Sequence, residues 1–211
     1  YRRLGAARKY AQSAGQSGAM FPWQSAMYGD EQAQSVHLNP LTNQWDPDNS
    51  RRQRHVSLSV AYEVWLYDHA TGDHDLMNRY GLDILLSVVR FWLSLTTKNS
   101  TTGRYDINGV MGPDEFHEEY PNSKRGGLSN NAYTNIMVAW LFKVVANLLQ
   151  TLPDSTVKAA SARAGWSSEA TQQLDQVRTH LQLDINDDGI IGQFQGYFDL
   201  PRLDFDHYRQ R

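Results

Sequence analysis

The residues best equipped for chemistry lie in Gly112-Pro113-Asp114-Glu115-Phe116-His117-Glu118. Carboxylates at Asp114, Glu115 and Glu118 beside His117, in a Gly/Pro loop, are raw material for general acid–base catalysis. A carboxylic acid that donates a proton near neutral pH needs a raised pKa, and an aromatic wall such as Phe116 supplies desolvation. A plainer reading competes. Pro followed by two acids is also how a short helix begins, with the acids near its positive end.

Other loops carry binding groups. Phe21-Pro22-Trp23-Gln24-Ser25 offers a flat apolar ring beside an amide, the mixture a sugar presents in complement. A loop aromatic that plugs the core fits that run equally well. Trp65, Trp92 and Trp140 fall at helical positions and are expected in the core. In Asn130-Asn131-Ala132-Tyr133-Thr134-Asn135, one Asn is expected to cap a helix. The run Asp184-Ile185-Asn186-Asp187-Asp188-Gly189-Ile190-Ile191 fits the opening of a calcium loop, whose twelfth position would be Gln195. Gln cannot supply the bidentate carboxylate needed there, so a turn is expected instead. His55, His69 and His74 lack metal-ligand spacing with a third ligand, and no metal is assigned.

These loops need elements to hold them. Leu4 to Ala14 has a helix-forming composition, and residues 20–50 have no sustained period. His55 to Gly72, Asp75 to Leu95, Ala132 to Leu149 and Ser167 to Leu181 show helical apolar periodicity. Pro153 ends the fourth of these five. Residues 98–130 read as a second irregular stretch, with a short strand over Arg104-Tyr105-Asp106-Ile107. The expected class is therefore all-α, with long functional loops on a single domain spanning 1–211.

Composition sets the outer limits. The 211 residues are 40% hydrophobic and 20% charged, as in globular proteins. A net charge of -3 argues against a nucleic-acid surface. Cysteine is absent, which excludes disulfides and thiolate chemistry and is compatible with a cytoplasmic setting. No apolar run reads as long enough to span a bilayer, so no membrane partner is expected. The chain opens Tyr1-Arg2-Arg3-Leu4-Gly5, without a signal-type segment, and reads as the interior of a longer protein.

Four motifs in order resemble glycoside hydrolase family 65, the inverting α-glucoside phosphorylases and hydrolases. They are Gly18-Ala19-Met20-Phe21-Pro22-Trp23-Gln24-Ser25, Val110-Met111-Gly112-Pro113-Asp114-Glu115-Phe116-His117-Glu118, Asn130 to Asn135, and Gln193-Phe194-Gln195-Gly196-Tyr197-Phe198-Asp199-Leu200. The resemblance implies an (α/α)6 barrel of which about five helices, near half, fall in this chain. It implies that Glu115 is the general acid, with Trp23, Gln24, His117 and Asn131 as sugar contacts. The substrate implied is an α-linked glucose disaccharide of the maltose, trehalose or kojibiose kind. No cofactor is implied; inorganic phosphate is the co-substrate in a phosphorylase. A hydrolase would need a second carboxylate to activate water. The family's other substrate and phosphate residues are expected outside 1–211, and relatives often form homodimers. A hydrolase, or a helical domain that binds sugar without chemistry, remains an alternative to the phosphorylase.

Overall fold

The computed structural model describes residues 1–114, 117–121, 123 and 125–209. Glu115, expected as the acid, and Phe116, expected as its wall, lie outside the described residues. The chain is helix-rich, 50% helical with seven α-helices among the described residues. Five short strands qualify the all-α expectation.

Helix α1 spans Leu4–Ser13 and buries Leu4, Ala7 and Ala11 along one stripe. A long loop then carries a two-stranded antiparallel hairpin, β1 (Val36–Asn39) and β2 (Gln44–Pro47). Helix α2 (Val56–Thr71) ends at Gly72, whose φ of 67 supplies the left-handed cap that a side chain would resist. A π-helical turn, Met77–Gly81, leads directly into α3 (Leu82–Leu95). Every residue from Leu82 to Val89 is buried, as are Phe91 and Trp92, so α3 is the central helix its broad apolar face predicts.

Strands β3 (Thr96–Lys98), β4 (Tyr105–Val110) and β5 (Leu128–Ser129) form an antiparallel sheet in the order β3-β4-β5. Helix α4 (Ala132–Thr151) packs on α3, α2 and α6 (Ser168–His180). By length and composition alone α4 could cross a membrane, contrary to the sequence expectation, and in this fold it packs among those three helices. Helix α5 (Asp154–Ala164), unforeseen in the sequence, begins just after Pro153 and lies on α3. Turns and a short helix α7 (Phe205–Arg209) complete the chain.

Asp83 ties three of these helices together. Fully buried on α3, its carboxylate accepts from Arg8 on α1 at 2.6 Å and from Arg163 on α5 at 3.2 Å. Of the tryptophans expected in the core, Trp92 is fully buried. Trp65 and Trp140 are only half-buried and pack edge to face against each other, with Tyr62 against both.

Candidate active site

The Trp23 loop is laid down by backbone contacts with three helices. At Gly18 (φ 73) a Cβ would run into the backbone of Ser87 and Phe91 on α3, so only glycine permits this approach. Ala19 N then donates to Ser87 O at 2.8 Å, Met20 N to Ala7 O at 3.0 Å, and Phe21 N to the Ser57 hydroxyl at 2.9 Å. Past Pro22, one carboxylate gathers the loop. Glu31 accepts from the backbone N–H groups of Trp23 (2.8 Å), Gln24 (3.2 Å) and Ala33 (2.9 Å), and from the Tyr10 hydroxyl (3.2 Å). Trp23 is 38% exposed, and Gln24 is exposed beside it.

Behind Trp23 stands His55, the residue before α2. Its ring is 5.7 Å from the Trp23 ring and 6.0 Å from that of Tyr133, which is exposed on the first turn of α4. Burial pushes the His55 imidazole below its usual pKa, opposed by a hydrogen bond with the Met111 backbone. The neutral ring is therefore the favoured form.

Met111 begins the acidic loop as β4 ends, and its N–H donates to Arg52 O at 3.0 Å. Gly112 comes next. A Cβ there would lie 2.7 Å from Asn131 Nδ2 and 2.8 Å from His117 Nδ1, so the loop backbone is wedged between those two side chains. Pro113 and Asp114 form an exposed bend; the rest of the helix start in the plainer reading falls outside the described residues. His117 packs edge-on against Phe194 with ring centres 5.3 Å apart. Its Nδ1 is buried without a hydrogen-bond partner among the described residues and lies 4.0 Å from Asp114 Oδ2, beyond bonding distance.

The asparagine motif supplies the expected helix cap and adds further bonds. Asn131 caps α4, its Oδ1 accepting from Thr134 N at 3.0 Å. Its Nδ2 donates to Gln193 O at 3.2 Å, so both ends of the amide are engaged inside the protein. Asn130, buried and left-handed at φ 51, accepts from Ile107 N at 3.0 Å and donates to Asp106 (2.9 Å) and Gln195 (2.8 Å). Together they clamp β4 and the 193–195 segment to the start of α4. The Asp184 region is a turn: Asn186 Oδ1 accepts from Asp188 N (3.1 Å) and Ile190 N (2.9 Å), and Asp184 accepts from Gly196 N at 2.7 Å.

The four motifs thus converge. Trp23 and Tyr133 meet through His55, whose ring faces the Met111 backbone; Gly112 sits against His117 and Asn131, and Asn131 holds Gln193. Glu31 and His55 were not foreseen as site residues. Glu31 has no motif of its own, whereas His55 stands at a helix start beside a candidate loop, a position that marks it in retrospect.

Residues 1–211 match the family model described as the glycosyl hydrolase family 65 central catalytic domain, and the chain belongs to that family. It is similar to trehalose 6-phosphate phosphorylase of Lactococcus lactis subsp. lactis, 44% identical over 209 residues, 99% of this chain and 26% of that protein. An uncharacterized glycosyl hydrolase of Mycobacterium tuberculosis is 43% identical over 211 residues, 100% of this chain and 16% of that protein. A solved structure from the human microbiome, provisionally named a kojibiose phosphorylase, shares the fold at a TM-score of 0.78 and 24% identity. That match covers 98% of this chain and 28% of the other. The chain spans about a quarter or less of the length of these relatives.

Proposed function

We propose that this chain is the acid-bearing part of an inverting α-glucoside phosphorylase, with Glu115 as proton donor. The observation that carries the reading is the convergence of the Trp23, Gly112, Asn131 and Gln193 segments at one place. Family membership and a relative named for phosphorolysis support it. In the reaction, phosphate forms a bond to the anomeric carbon as the glycosidic C–O bond breaks from the opposite side. The electron pair leaves with the glycosidic oxygen, which takes the proton from Glu115. The products are β-glucose 1-phosphate and the released sugar. Phosphate is already nucleophilic, so one protein carboxylate suffices, unlike hydrolysis, which needs a base for water.

The exposed ring of Trp23, with Gln24 and His117, would contact an α-linked glucose disaccharide, its 6-phosphate included. Asn131 would act by holding the Gln193 segment. The remaining assignments are part of the same proposal: one domain forming half of an (α/α)6 barrel, within a longer cytoplasmic protein that dimerises. The α2 and α4 starts meet at the site, and their half-buried Trp65 and Trp140 suit a face covered by further helices.

The test uses the full-length protein with trehalose 6-phosphate, trehalose, kojibiose and maltose, with and without phosphate, followed by NMR. The reading expects β-glucose 1-phosphate from one of them, only when phosphate is present. Free glucose released equally without phosphate would mean a hydrolase instead.

A further inference from the structure

Trp23 and Tyr133 present exposed faces from different elements, a loop and a helix, and both touch one residue. That residue, His55, is 8% exposed, against 38% for Trp23 and 41% for Tyr133. The backbone bonds of Trp23 run to Glu31 through its N–H and leave its indole to be placed by packing. The His55 ring meets the indole at 57° and Tyr133 edge-on at 87°, so its tilt determines how the two outer faces stand to one another. Its backbone is fixed: His55 O accepts from Leu58 N at 2.9 Å and from Ser59 N at 3.0 Å as α2 begins. The side chain makes no capping bond; its ring packs on the two aromatics and faces the Met111 backbone. Its Nδ1 is buried and has no hydrogen-bond partner among the described residues. A residue serving only to fill this space would be better aliphatic, since Leu strands no polar atom.

We propose that His55 is a positioning residue of the sugar site, a flat wedge that sets Trp23 and Tyr133 at the angle a pyranose ring requires. The inference rests on the sugar-binding part of the reading above and deepens it. His55 supports two walls without forming bonds to the reacting atoms, so its loss should weaken substrate binding more than turnover.

The experiment compares His55→Ala, His55→Phe and His55→Gln in the full-length protein, with kojibiose and trehalose 6-phosphate as probes. Melting temperature, kcat, KM and calorimetric Kd are measured for each. Loss of the wedge in His55→Ala should raise KM and Kd about tenfold while kcat falls less than about threefold. His55→Phe, which keeps a flat ring and discards both nitrogens, should restore Kd to within about threefold of the parent, and His55→Gln should not. Rescue by Gln and not by Phe would mean that a ring nitrogen, bonded to the Met111 backbone or to the sugar, matters rather than the flat ring, and would overturn the inference. A fall in melting temperature with KM and Kd unmoved would overturn it too, leaving His55 as core. A parent protein that binds neither probe also overturns it. Binding without phosphorolysis counts against the phosphorylase reading alone.

Discussion

The carboxylate of Glu31 lies 2.8 Å from the backbone N–H of Trp23 and accepts its hydrogen bond. The same side chain receives Gln24 N, Ala33 N and the Tyr10 hydroxyl, so one anion replaces the pairing a strand would give this loop. Glu31→Ala should cost about 1–3 kcal/mol, the penalty for stranding such donors, lessened where water reaches them. Denaturant unfolding reads that loss, and substrate KM should rise with it. An unchanged KM would show that the loop keeps Trp23 in place without Glu31.

Gly112 is the tightest point of the site. The Cβ of Gly112→Ala would press on Asn131, whose amide is anchored at both ends, and on the buried edge of His117. The loop has to move, and displacement of about 1 Å near a reacting centre costs on the order of a hundredfold in rate. Steady-state kinetics should show kcat falling at least about tenfold, with melting changed by only a few degrees. Retained kcat would place the acid elsewhere than on this loop.

Much of the frame was legible in the residues. Helices α3 and α4 show apolar periodicity, and Gly72 stops α2 at the expected place, although α2 buries only Ser57, Leu58 and Ala61. Helix α5 was not, because Asp154–Ala164 is made mostly of small and polar residues and buries only Ala160 and Ala164. The β1–β2 hairpin was hidden for a different reason. Val36 and Leu38 point outward at 45% and 47% exposure while His37 and Asn39 are half-buried, which inverts the usual strand pattern. In the site, the motif residues were visible as types. The partners that orient them were not: Glu31 lies in a loop with no period, and His55 meets Trp23 and Tyr133 from distant parts of the sequence.

His55 gives the fold a dependence on pH. Its folded pKa lies below the ordinary value because burial disfavours the cation, so below about 6.5 the unfolded chain binds a proton that the folded chain refuses. Stability is therefore full above that pH and falls as pH drops through the unfolded and then the folded value. Melting temperature should decline between about pH 7 and 5, and less steeply in His55→Phe. Equal slopes in the two proteins would assign the decline to other groups.

Asp83 governs the packing of α1 and α5 on α3. Asp83→Ala would leave Arg8 and Arg163 without their common anion. Both guanidiniums reach solvent, so the loss should fall near the lower end of the range for a broken buried pair, about 3 kcal/mol. Urea unfolding measures this; a change under about 0.5 kcal/mol, the scale of an ordinary surface substitution, would mean that the cluster contributes little.

The most direct test of the account is the turnover of Glu115→Gln in the full-length protein on two substrates, the disaccharide and α-glucosyl fluoride. Fluoride departs without a proton, so only the disaccharide needs the acid. Disaccharide turnover should fall by about a hundredfold or more, while fluoride turnover stays within about tenfold of the parent. A fall of less than about tenfold on the disaccharide, or an equal fall on both substrates, would contradict the role of Glu115 as proton donor.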